Sequence, residues 1–306
     1  MTKNHQYSFI AETEGRLDAI SASTLAISRS VFSSPTMNCY INGKKSKKSA
    51  TVRIGDSVEI SYVEEVMEGL EAEDIKLNVL YEDDDILVID KEQGMAVHPG
   101  AGTYSGTVAN ALLSMFGDDF EAGDDDMRPG IVHRLDKDTS GVMVIAKNAN
   151  AHKELSEMFK QHSNDKYYIA LVKGEFKNPT GVIDSRIVRD RKNRKKFTTT
   201  NNVTEGRDAL TKYMVLGQNN GYALLRVRIF TGRTHQIRVH LTSINHPIVG
   251  DPIYGRKDDK LPDATLMLHA YKLSIIHPVT KEKMAFSSHT PQRFLDAIKY
   301  LGIELL

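Results

Sequence analysis

Apolar positions along the chain fall into two patterned stretches with an acidic stretch between them. Leu17, Ile20 and Leu25 recur at helical spacing and predict a short helix. Ser28-Arg29-Ser30 has the composition of a cap opening a second helix, which Pro35 should end or interrupt. Cys39 to Ile41, Asn42-Gly43 and Lys44 to Lys48 predict a strand, a tight turn and a basic surface. Val52 and Ile54, then Val58 and Ile60, predict two short strands around Gly55-Asp56. Glu64, Glu65, Glu68, Glu71, Glu73 and Asp74 follow with few apolar anchors. The chain reads as a small domain over 14–62, an acidic linker over 63–76 and a large domain over 77–306.

In the large domain, Ile86 to Ile89 and Val142 to Ile145 are short apolar runs of the kind that buried strands carry. A helical pattern runs from Ala149 to about Gln161. Tyr167 to Val172 and Tyr222 to Phe230 predict further strands, and hairpin-like spacing recurs near 182–216 and 268–286. Gln236 to Leu241 can begin a helix. Two clear helices among so many strands predict an α+β fold rather than regular βαβ alternation.

Composition narrows the picture. With 40% apolar residues the 306-residue chain can build a core, so wholesale disorder is not expected. Lys plus Arg equals Asp plus Glu at 40 each, which excludes a basic coat over the whole molecule. The charges are segregated, so a local basic surface is still open. Cys39 is the single cysteine, which excludes an internal disulfide and a multi-cysteine metal site. No apolar run spans a bilayer and Met1 to Phe9 lacks a signal-peptide core, so a cytoplasmic protein with no membrane partner is expected. The acidic loop at 118–126 has no calcium-loop pattern and reads as solvated surface.

Three segments concentrate polar chemistry. His133-Arg134-Leu135-Asp136-Lys137-Asp138-Thr139-Ser140-Gly141 sits at a strand entrance, where polar groups can be desolvated and aimed. Asp136 and Asp138 are either a carboxylate pair or one reactive acid and one turn-capping acid. Gly141 suits a positive φ or a close backbone approach. In Thr231 to His240, Arg233, His235, Arg238 and His240 invite a metal or phosphate reading. The five-residue spacing of the two histidines is wrong for a helical metal pair, so no metal is expected. An arginine fork holding a carboxylate is the simpler reading, with Arg233 near Asp136. The third segment packs Arg186, Arg189, Arg191, Lys192, Arg194, Lys195 and Lys196 together, opposed there only by Asp190. Beside Phe197 it fits one face contacting an anionic macromolecule. No glycine-rich nucleotide cradle is present.

The 133–141 and 231–240 segments together closely resemble the large-subunit ribosomal type of RNA pseudouridine synthase. The likeness extends over most of 77–290, through Gly94 to Gly100, Lys166-Tyr167-Tyr168, His246 to Gly255 and Leu268-His269-Ala270. The N-terminal segment resembles an S4 RNA-binding domain through Arg16 to Asp18, Ser28 to Ser30, Ile41 to Gly43 and Gly55-Asp56. The resemblance implies a mixed, mainly antiparallel sheet with a central cleft, plus a small S4-like α/β domain. It implies cofactor-free isomerisation of uridine in RNA, with large-subunit rRNA as substrate and no obligate protein partner. Asp136 matches the family's catalytic aspartate and Arg134 the arginine that fills the space of a flipped base. Tyr168, rather than Tyr167, matches the aromatic partner, and Arg233 the arginine paired with the acid. His133, Arg29, Lys44, Lys47, Arg191, Lys192 and Arg194 are expected RNA contacts. The chain departs from the family at Lys91-Glu92, where Lys-Pro is usual, and at Thr265, where an arginine is frequent. Pro35 and Ser33-Ser34 replace the usual apolar-basic helix of the S4-like segment. Three alternatives stand beside this reading. They are a tRNA pseudouridine synthase, a catalytically silent RNA-binding or ribosome-assembly protein, and a hydrolase using Asp136 and Asp138, for which the spacing of those acids is awkward.

Overall fold

A computed structural model describes residues 2–65, 69–100, 103–117, 120, 128–193 and 195–305; for residues 2, 30, 64 and 65 it describes the backbone. The chain forms two compact units, 1–69 and 70–306. The first holds β1 (Thr2–Ile10), β2 (Gly15–Arg16), α1 (Leu17–Thr24), β3 (Asn38–Ile41), β4 (Lys44–Lys45), β5 (Thr51–Val52) and β6 (Ser57–Glu65). Its sheet runs β1-β6-β3-β4, and β2 pairs with β5. Leu17 and Ile20 of α1 pack with Phe32, Cys39, Val58 and Ile60. The second helix expected from Ser28 is a 3-10 turn over Arg29–Ser33, ending ahead of Pro35.

Two expectations about boundaries need correction. A start at 14 leaves out β1, which pairs along its whole length with β6, from Thr2 against Glu65 to Ile10 against Ser57. The stretch 63–76 is not a free linker either. Residues 63–65 belong to β6, and the far end is anchored to the second unit. There the Asn110 amide donates to the Glu71 carbonyl (2.8 Å), the Glu73 carboxylate accepts from Gly106 N (3.0 Å), and Ile75 packs on the core. Acidity along the sequence hides these few anchors.

The second unit is built on one large sheet. Its elements are β7 (Val79–Glu82), β8 (Ile86–Lys91), α2 (Val108–Phe116), β9 (Ser140–Ala146), α3 (Ala149–Lys160), β10 (Asp165–Lys173), β11 (Thr180–Arg189), β12 (Phe197–Thr200), β13 (Arg207–Asn219), β14 (Tyr222–Ile229), α4 (Gln236–Ser243), β15 (Leu268–Ile276), β16 (Lys283–Ser287) and α5 (Gln292–Leu301). The order is β12-β11-β13-β14-β10-β15-β9-β8-β7, with β16 beside β15. Pairing is antiparallel except between β9 and β15, so the α+β, mainly antiparallel expectation holds. Helices α2 and α5 go beyond the two that periodicity marked. A reciprocal Thr107/Asn110 capping box starts α2, and α5 is anchored by fully buried Phe294.

Strands β8 and β9 read as unbroken apolar runs because both faces are covered. Leu87, Ile89, Met143 and Ile145 enter the main core. Their neighbours Ile86, Val88, Val142 and Val144 meet Ala151 and Leu155 of α3. At the single parallel crossing, Gly141 has φ +125°, and a Cβ there would lie 2.2 Å from the Ala270 carbonyl oxygen. Both properties expected of this glycine are therefore used, and they bring the 133–139 loop against β15.

Candidate active site

The loop before β9 is held by backbone carbonyls facing buried donors. Thr139 N donates to the Asp136 carbonyl (3.0 Å), closing a turn that presents the Asp136 side chain. Lys91 is only 1% exposed, and its ammonium donates to the carbonyls of Glu92 (2.8 Å), Met95 (2.7 Å) and Lys137 (3.2 Å). Burial pulls its pKa down to about 8, against the opposing charges of Asp136 and Asp138. Gln93 donates to the carbonyls of Asp138 (2.8 Å) and Leu266 (2.9 Å), and Thr265 donates to its Oε1. The two departures from the family pattern, at 91–92 and 265, thus lie in one bracing network.

The arginine paired with Asp136 is Arg238. This corrects the expectation placed on Arg233. Arg238 is 3% exposed and stands in the first turn of α4, between apolar Ile237 and Val239. Its Nη1 donates to Asp136 (3.0 Å), while Nε and Nη2 form a fork on Asp251 (2.8 Å each). Burial opposes the guanidinium's charge, but its hydrogen bond to Asp251 and the charges of Asp251 and Asp136 outweigh it and raise its pKa. Asp251 is lowered by the same pairing, and its Oδ1 also accepts from Ile253 N and Tyr254 N. Arg233 precedes the helix and is held elsewhere on the pocket wall. Its Nε donates to the Asp208 carbonyl (2.9 Å), and among the described residues it makes no ion pair with Asp136.

Asp136 opens into a pocket of about 90 Å³, walled by Leu135, Thr139, Tyr168, Ile229, Ile237 and Leu268, with Arg134 and Arg233 also lining it. Strand alternation separates the two tyrosines of β10. Tyr168 faces this pocket at 7% exposure, whereas Tyr167 lines a different groove with Lys212 and Arg228. Burial, and then the charge of Asp136, push the Tyr168 phenol up, so it stays protonated at neutral pH. Asp138 does not line the pocket, which removes the opposed pair that a two-acid hydrolase needs.

The remaining histidines and Arg134 take separate roles. His133 is half-buried and stacks on Phe159 at 4.3 Å. Its Nε2 accepts from Val144 N (3.0 Å), a donor left over because the β9–β15 ladder stops at Gly141. Burial pushes His133 down to about 3, so it is a neutral brace at the pocket wall. Arg134 is exposed at the mouth, with its Nη1 3.4 Å from His98 Nε2. His240 is a satisfied core histidine between Thr211 and Ser185. His235 Nε2 lies 4.0 Å from Asp136, and its Nδ1 meets the Tyr254 hydroxyl.

An aspartate gripped by a buried arginine, facing an aromatic wall beside exposed cations, is a small polar pocket suited to a planar, uncharged ring. Residues 85–243 match the family model described as RNA pseudouridylate synthase. The chain belongs to that family. A protein called uncharacterized RNA pseudouridine synthase from Aquifex aeolicus is 43% identical over 272 residues, 86% of this chain and 85% of its own. Ribosomal large subunit pseudouridine synthase D of Borreliella burgdorferi is 43% identical over 260 residues, 83% of this chain and 78% of its own. Among solved structures, human RNA pseudouridylate synthase domain containing 1 superimposes with a TM-score of 0.60 at 25% identity, covering 76% of this chain and 90% of that one.

The synthase's other expected contacts are less concentrated than its sequence suggests. In the basic run, Arg186 is bound by Asp208 and by the Glu205 and Gly206 carbonyls, and Arg191 by Glu205. Acids from β13 and the turn before it reach back and compensate charges that look unopposed locally. Lys192 is exposed, and Arg194 lies outside the described residues, as does the acidic loop except Phe120. In the first unit, Lys44 and Lys47 are exposed, and Arg29 shares Asp18 with Arg16. Sequence reasoning gave no role to Lys91, Gln93 or Asp251. Arg238 carried a signal, since an arginine set within Ile237, Val239 and Leu241 must be paired if buried. Among the described residues no helix is long and apolar enough to cross a membrane.

Proposed function

We propose that the synthase isomerises uridines of large-subunit ribosomal RNA in the Asp136 pocket, with Asp136 as the reactive carboxylate. The observation that carries this reading is the hydrogen bond from buried Arg238 to Asp136 opposite Tyr168. A uridine stacked in RNA cannot reach a side chain this far inside, so the base leaves its stack first. Arg134, exposed at the mouth, is placed to fill the vacated space. The reaction breaks N1–C1′, turns the base, and forms C5–C1′; the proton lost from C5 is balanced by one gained at N1. Asp136 serves by attack at C1′, by addition at C6, or by taking the C2′ proton, and each route needs a fixed carboxylate within reach of the sugar and base. The Arg238–Asp251 fork supplies that fixity. Tyr168 stacks on uracil, and its phenol, held protonated, is not a base at neutral pH.

The ribosomal assignment follows the names of relatives such as those of Borreliella burgdorferi and Xanthomonas campestris, both called ribosomal large subunit pseudouridine synthase D. The first unit serves as an S4-like RNA-binding module through Lys44, Lys47 and Arg29, and Lys192 adds a phosphate contact on the second. The test is incubation of the full chain with unmodified rRNA and tRNA transcripts, followed by pseudouridine mapping. New pseudouridine in large-subunit rRNA is expected. Modification confined to tRNA overturns the substrate, and RNA retention with no pseudouridine overturns the chemistry.

A further inference from the structure

Among the described residues, two cations beside the pocket form no ion pair. Lys166 is 8% exposed, yet among the described residues its ammonium makes no hydrogen bond or ion pair. Its Nζ lies 5.5 Å from the centroid of the Phe159 ring. Burial and the charge of Arg233 press its pKa down to about 8. Arg233 spends Nε on the Asp208 carbonyl and leaves both terminal nitrogens unpaired among the described residues. The Asp208 carboxylate is taken by Arg186.

Lys166 and Arg233 line a second pocket of about 460 Å³. It adjoins the first and shares Arg134, Tyr168, Ile229, Gly232 and Arg233 with it. Its lining also includes Lys160 and His162 and contains no carboxylate. A buried cation without a partner is costly. Such an arrangement is stabilised when a ligand brings the missing charge.

We propose that Lys166 and Arg233 form a subsite for one phosphodiester group of the RNA, adjacent to the uridine seated against Tyr168. Two unpaired guanidinium nitrogens suit two phosphate oxygens, and the ammonium adds a point charge from β10. The subsite gives a role to Arg233, which among the described residues makes no ion pair with Asp136. Because Tyr168 walls both pockets, binding the phosphate here fixes which nucleotide enters the first. This inference rests on the uridine reading of the Asp136 pocket.

The test uses the full chain and a short RNA around the uridine found by mapping. Each flanking phosphate is replaced in turn by a neutral methylphosphonate. One replacement should raise KM about tenfold, the loss expected for a charged hydrogen bond, with kcat within about twofold. Lys166→Met should raise KM similarly on natural RNA, and combining it with the sensitive replacement should add less than about twofold. Lys166→Arg, which keeps the charge, should recover most of the loss. If no flanking phosphate is sensitive in the wild-type protein, the proposal is overturned without recourse to a variant. If the two effects multiply at every position, Lys166 does not meet that phosphate and the proposal is equally overturned. Wild-type protein that modifies no transcript sinks the uridine reading instead, a separate result.

Discussion

The Asp136 pocket and the basic stretch at 186–196 carry comparable densities of charge in the sequence, yet the fold treats them in opposite ways. Around Asp136 the partners are buried, fixed by forks and carbonyls, and drawn from distant segments, Arg238 and Asp136 being 102 residues apart. Around 186–196 the charges are largely exposed and meet acids at 205–208 in pairs that solvent weakens. Burial, not the number of charges, suits the first to the reaction proposed for it. The second is an exposed surface, on which any contact to RNA is expected to be graded and salt-dependent.

The strongest way to break this contrast is at the carboxylate. Asp136→Asn keeps the shape and removes the anion, and single-turnover assays should show a loss of at least ~10³-fold in pseudouridine formation. Normal turnover in that variant would reject the assignment of Asp136. Next comes its clamp. Arg238→Met leaves Asp251 buried without its partner, so the protein should lose about 3–5 kcal/mol in denaturant unfolding. The same change at Arg233 should leave stability within about 1 kcal/mol, since only one carbonyl contact is lost. Equal losses at the two arginines would erase the distinction drawn between them.

Tyr168 separates stacking from proton transfer. Tyr168→Phe should keep kcat within about fivefold, because a phenol raised by burial is not a base at neutral pH. Tyr168→Ala should lose about 10- to 100-fold, in line with the worth of one base–aromatic stack. A Phe variant as impaired as the Ala variant would return a chemical role to the hydroxyl.

Much of this site is legible in sequence where local rules decide the outcome. The family resemblance at Lys166-Tyr167-Tyr168 selects Tyr168, strand alternation puts Tyr167 on the opposite face, and a glycine following Thr139-Ser140 announces a tight approach that the Ala270 carbonyl realises. What local rules do not carry is the partner of a buried charge. Arg233 and Arg238 lie in one segment, and the residue that reaches Asp136 depends on where α4 starts and which of its faces is inward. Lys91 stands between Asp90 and Glu92 in sequence, yet the acceptors that hold its buried ammonium are backbone carbonyls, which no residue type announces. The helix α2 is hidden for a similar reason: its start is a side-chain exchange between Thr107 and Asn110 rather than a long apolar stripe. The pairing of β1 is long-range and invisible to periodicity.

Acid should expose the buried half of the contrast. His133 has a folded pKa of about 3 against an ordinary value of 6.5. Between those values the unfolded chain binds the extra proton, so stability falls as pH drops from 6.5 towards 3 and is unaffected by this group above 6.5. Melting temperatures followed from pH 7 to pH 4 should fall less steeply in His133→Gln, whose amide does not titrate and can still accept from Val144 N. Parallel curves for the two proteins would mean that His133 is protonated in the fold, with its hydrogen bond to Val144 lost.

The smallest effect lies on the exposed surface and asks whether a paired charge there still counts. Lys192→Ala should reduce the slope of log affinity against log salt by about 0.7, the share of one single-strand phosphate contact. Arg191→Ala with Glu205→Ala removes an ion pair rather than a net charge, and the slope should move by less than half as much. If the double variant moves the slope as far as Lys192→Ala does, Arg191 abandons Glu205 for phosphate when RNA arrives. The acid at 205 would then be a placeholder for the RNA backbone, and the surface would act as a poised contact instead of a compensated one.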